Sequence, residues 1–86
     1  MINKVDHPVA WCLLCYELDD AREHIEKLLH VMSSDAEFDE TEFRISLGHI
    51  AAHLNRAWNA RDVEEELTEE QWDSFRRYPL DLEPIA

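Results

Sequence analysis

Apolar side chains in the first third of the chain fall at Trp11, Leu14, Leu18, Ala21, Ile25, Leu28 and Met32. The steps alternate between three and four, which is the repeat of a helix lying along another helix. Pro8 suits the first turn of such a helix, where its missing N–H leaves no bond unmade, with Asp6 or His7 as the cap. The pattern predicts a helix over residues 8–33, about 37 Å long. A second run, Phe43, Leu47, Ile50, Leu54 and Ala57, steps four, three, four, three and predicts a helix over 39–60. Asp39 followed by Glu42 marks its start, although Ser34 with Glu37 carries the same signal. A connection of about six residues leaves the second helix one course, back along the first. Thr68 with Gln71, then Trp72 and Phe75, predicts a short third helix over 69–77. That helix must stop before Pro79, because proline biases Tyr78 away from helical backbone. Residues 79–86 read as an extended tail. The expected fold is all-α: one domain, residues 1–86, built on an antiparallel two-helix hairpin with a short third helix.

Length changes this picture. At 86 residues folding covers only about 60% of the surface that the unfolded chain exposes, so a lone hairpin has little core. One glycine and three prolines leave too little turn punctuation for an all-β fold. Val9–Tyr16 is apolar all round and needs cover on a second side, from helix three with Trp72 and Phe75 or from a second subunit. Cys12, Cys15 and Tyr16, with Gly48 and Ala52 opposite, form a flat strip assigned to helix packing or to a dimer contact. Gly48 costs its helix about 1 kcal/mol relative to alanine, which a close helix approach would explain. The expected assembly is a homodimer in a four-helix bundle.

Charge narrows the partners. Twenty acidic residues against eight basic ones give a formal net charge of −12. With the basic residues unclustered, such a chain repels nucleic acid and anionic membranes and attracts a basic protein surface. Its apolar runs are too short to span a bilayer, and no secretion signal is visible. Two cysteines three residues apart make no disulfide framework, so the expected compartment is the cytoplasm.

Three groups of residues carry candidate chemistry. With Leu18 set opposite Leu54 and Ile25 opposite Leu47, His24 comes level with His49, and Asp20 with His53. His49 and His53, four apart, project from one helical face, so His24, His49, His53 and Asp20 are the candidate ligands of a divalent transition metal. The residues between the two histidines are Ile50, Ala51 and Ala52, so there is no His-Glu-x-x-His, and no Glu-x-x-His occurs either. The bland alternative makes these histidines flank residues paired with Glu17, Glu42 or Asp20. Cys12 and Cys15 form a C-x-x-C without a preceding strand or a second pair, which reads as two small buried hydrophobes rather than a redox or zinc motif. Finally, Arg56, Trp58 and Arg61 gather recognition chemistry at the end of the second helix. They are assigned to partner binding together with Glu23 and Glu26 on the outer face of the first. The competing reading makes Arg56 and Arg61 ion-pair partners of Glu17, Asp6 or the Glu64–Glu66 run, favourable at the helix C-terminus. No activated nucleophile, phosphate loop or acid–base pair is present, and no cofactor is assigned. The sequence reads as a non-enzymatic protein-interaction or regulatory module; the alternative is a metal- or cofactor-binding helical bundle using His24, His49 and His53.

Overall fold

Pro8 opens the first helix and Asp39 opens the second. In the computed structural model, which describes residues 1–86, the chain forms α1 (Pro8–Ser34), α2 (Glu40–Asn59) and α3 (Glu69–Ser74), with no strand. His7 occupies the N-cap of α1, and neither it nor Asp6 caps the helix with its side chain. The Asn3 side-chain oxygen instead accepts the Val5 and Asp6 amides at 3.0 and 2.8 Å. At α2, the Asp39 carboxylate accepts the Glu42 amide at 3.0 Å, relieving one of the unpaired N–H groups of the first turn. Thr68 and Gln71 bond reciprocally at α3.

Helix α3 ends three residues short of the expected 69–77, at Ser74. A longer helix would direct the Phe75 carbonyl at residue 79, and Pro79 has no N–H to give. Two asparagines of α2 satisfy the carbonyls instead. The Asn59 side-chain amide donates to Phe75 and Arg77 at 2.8 and 3.0 Å, and the Asn55 amide donates to Arg76 at 2.8 Å. The chain after α3 is thereby tied to α2.

Helices α1 and α2 pack on each other, with Glu17 bonded to Arg56 and His24 beside His49. The expected seams divide in two. Leu14, Ala21 and Leu28 of α1 are buried with Ala10, as are Ile50 and Ala57 of α2. Leu18, Ile25, Met32, Leu47 and Leu54 remain 41–47% exposed. The contact face of α1 is rotated toward Ala10, Leu14, Glu17, Ala21, His24 and Leu28, where small alanines let the backbones approach and Glu17 reaches its partners. Ile2 closes one end, its amide donating to the Arg61 carbonyl at 2.7 Å and its side chain joining Ala10, Leu14 and Ala57.

The rotation corrects two expectations. Cys12 and Cys15 are free and exposed rather than buried, because they fall on the outer face of α1. Gly48 has no neighbour that an added Cβ would meet within 4 Å, so nothing within the chain uses its small size.

Candidate functional site

The polar layer between α1 and α2 is built around Glu17. One carboxylate oxygen accepts the Nδ1 hydrogen of His53 at 2.7 Å, and the other accepts Nε–H of Arg56 at 3.0 Å. Arg56 is 3% exposed, so its charge depends on Glu17 for compensation. Its guanidinium also lies over the Trp72 ring, 4.1 Å from the centroid, which joins α3 to the layer through a cation–π contact.

With Nδ1 of His53 committed to a carboxylate, the neutral ring presents the lone pair of Nε2. That nitrogen is buried and has no hydrogen-bond partner, the only such buried side-chain atom in the chain. Leaving it unpaired costs about 1–3 kcal/mol. His24 and His49 stand around it. The ring centroids are 4.1 Å apart for His24 and His49, 4.9 Å for His49 and His53, and 5.3 Å for His24 and His53. One nitrogen from each of the three rings lies within 4.8 Å of the other two. Burial, reinforced by His24, His53 and Arg56, lowers the pKa of His49 and favours its neutral form, with Asp20 opposing. These three rings are the residues that could hold a metal; Asp20 lies outside the group, and Glu17 takes the place beside His53 that numbering gave to Asp20.

Side-chain exposure grades across the layer from buried His53 through half-buried His24 to exposed His49. His24 and His49 also wall an open groove of about 500 Å³, whose apolar sides are Leu28, Val31, Phe38 and Ile45.

The Arg56–Trp58–Arg61 end is occupied within the chain. Arg56 is buried as described. The Trp58 indole N–H donates to Asp81 at 2.9 Å, and Arg61 donates to the same carboxylate at 3.0 Å while lying 3.9 Å over the Trp58 ring. The Trp58 bond, with help from Arg61, holds the Asp81 carboxyl below its ordinary pKa. Glu23 and Glu26 are exposed on α1, with Glu26 3.8 Å from Arg22. Sequence reasoning missed Trp72 as the cover for Arg56 and Asp81 as the acceptor of Trp58. Nothing in the spacing of residues 72–81 announces either contact, because both depend on where the tail crosses α2.

A second surface lies on the other side of α1 and α2. Helical periodicity places Leu18, Ile25 and Met32 on one face of α1, and Phe43, Leu47 and Leu54 on the corresponding face of α2. All six are between 37% and 47% exposed. No helix is long and apolar enough to cross a membrane. No protein-family model matches the chain, and no curated protein or solved structure is significantly similar to it.

Proposed function

We propose that this chain is a non-enzymatic protein-interaction module. In this reading α1 and α2 form an antiparallel hairpin that pairs with a second copy through its Leu18–Ile25–Leu47–Leu54 face to make a four-helix bundle. One observation carries the proposal: the heptad seam is intact in sequence, yet half of it is left unpartnered by the chain's own fold. Leu14, Ala21 and Leu28 face the neighbouring helix, while Leu18 and Ile25, set between them, stay 47% and 41% exposed. A seam that serves two neighbours at once is the arrangement of a helix inside a four-helix bundle. An identical copy brings the same stripe from both of its helices and meets it by a twofold axis. Only 10 of 86 residues are buried in the single chain, so a second apolar contact is what its stability most lacks.

Sedimentation equilibrium tests the reading. The expected mass is twice the 10.2 kDa of the chain at micromolar concentration. Leu18→Glu with Leu54→Glu should return the monomer mass with helical circular dichroism largely kept, since both positions are half-exposed in the single chain. A wild-type chain that stays monomeric across this range overturns the proposal.

A further inference from the structure

Independently of that face, the geometry points to a site for one divalent transition-metal ion of the zinc class, bound by imidazole nitrogens of His24, His49 and His53. His53 is the most buried of the three. Its outer nitrogen is held by Glu17 at 2.7 Å, the relation in which a carboxylate fixes the tautomer and direction of a metal-ligating histidine. Its inner nitrogen, Nε2, is buried without a partner, in a residue only 8% exposed. In the neutral ring this nitrogen directs a buried lone pair, a group in want of a cation or a donor. His24 and His49 stand beside the ring, with centroids 5.3 and 4.9 Å away, and both carry the same ligand chemistry.

One nitrogen from each of the three rings lies within 4.8 Å of the other two. Tetrahedral coordination at 2.0–2.1 Å places ligand nitrogens about 3.3 Å apart, so the rings must close by about an ångström and a half. Exposed His49 and half-buried His24 can turn to make that closure, whereas His53 is fixed. Ligation requires neutral imidazole. Three nitrogen ligands and no thiolate select zinc, nickel or cobalt over calcium or magnesium. Three protein ligands also leave a fourth position, filled by water or by a small ligand.

The principal rival is a loose cation cloud on a chain of net charge −12. The two are separated by which residues matter. The chain, prepared without a histidine tag, would be titrated with Zn²⁺ in competition with a chromophoric chelator, and with Co²⁺ as a spectroscopic probe. One ion per chain is expected, with the visible absorption bands of tetrahedral cobalt. His49→Gln and His24→Gln should each weaken binding at least 100-fold. His49→Cys should retain binding and add a thiolate-to-cobalt charge-transfer band, which no carboxylate site produces. His49 is exposed, so its variants test the site with little risk to the fold, and circular dichroism checks them. Absence of saturable binding, or a His49→Gln chain that binds as tightly as wild type, overturns the inference.

Discussion

Single residues set the acid limit of this molecule. His49 has its pKa lowered from the ordinary 6.5, chiefly by burial and then by His24 and His53. Protonation is therefore easier in the unfolded chain than in the folded one. Well above pH 6.5 both states hold the ring neutral and it contributes nothing to pH dependence. As pH falls below that value the unfolded state takes up its proton first, and stability is lost. Thermal melts in metal-free buffer should show the melting temperature falling from pH 7.5 to 5.5, with a shallower fall in His49→Gln. Glu17 sets a different limit. Glu17→Gln still offers His53 an acceptor but leaves the Arg56 charge, 3% exposed, without a counter-ion. The expected loss is about 3 kcal/mol, read as a lower denaturant midpoint. The corresponding change at Glu23, which is exposed on the outer face of α1, should move the midpoint very little.

At the scale of elements, Gly48 gives the sharpest prediction. An added Cβ meets nothing within 4 Å, so Gly48→Ala should stabilise α2 by about 1 kcal/mol through its backbone alone. A stabilised chain with unchanged self-association would place the dimer contact on the leucine face, away from the Cys12, Cys15, Tyr16, Gly48 and Ala52 strip. Weakened self-association would return it to that strip. The helices themselves were legible in the sequence because each has a local cause: Pro8, the Asp39 cap, the Thr68–Gln71 box and an unbroken step of three and four. The histidine group was legible because numbering along two packed helices places His24 level with His49. What the pattern did not carry was rotation. A step of three and four says that both sets of positions are apolar, and it is silent on which set faces the chain's own second helix. That choice falls to the alanines at 10, 21 and 57 and to the bonds of Glu17. The early end of α3 was half legible: Pro79 forbids a longer helix, but the asparagines that receive the freed carbonyls lie 16 to 21 residues earlier in the chain.

For the whole molecule, the deciding quantity is the net charge of −12, which would act with opposite sign on the proposed self-association and on an encounter with a basic partner. Two copies of so acidic a chain repel one another, and in the proposed dimer the leucine face would have to overcome that repulsion. Salt screens it, with a Debye length of about 10 Å at 0.1 M, so self-association should tighten as ionic strength rises. A basic protein partner would be drawn to the outer face of α1, where Glu23 and Glu26 are exposed and only Arg22 interrupts them. For that encounter salt removes the attraction, and the association rate should fall. The two dependences can be measured on one preparation. Dimer dissociation constants would come from sedimentation at 50 and 500 mM NaCl, and association rates from stopped flow with a basic helical peptide over the same range. Glu23→Lys with Glu26→Lys should slow the peptide's association and leave the dimer's salt dependence in place, since these positions lie off the leucine face. Self-association that weakens with salt would mean that ionic contacts hold the dimer, contrary to an apolar seam. A peptide whose association ignores both salt and the lysine substitutions would reduce the acidic surface to a means of keeping the chain soluble.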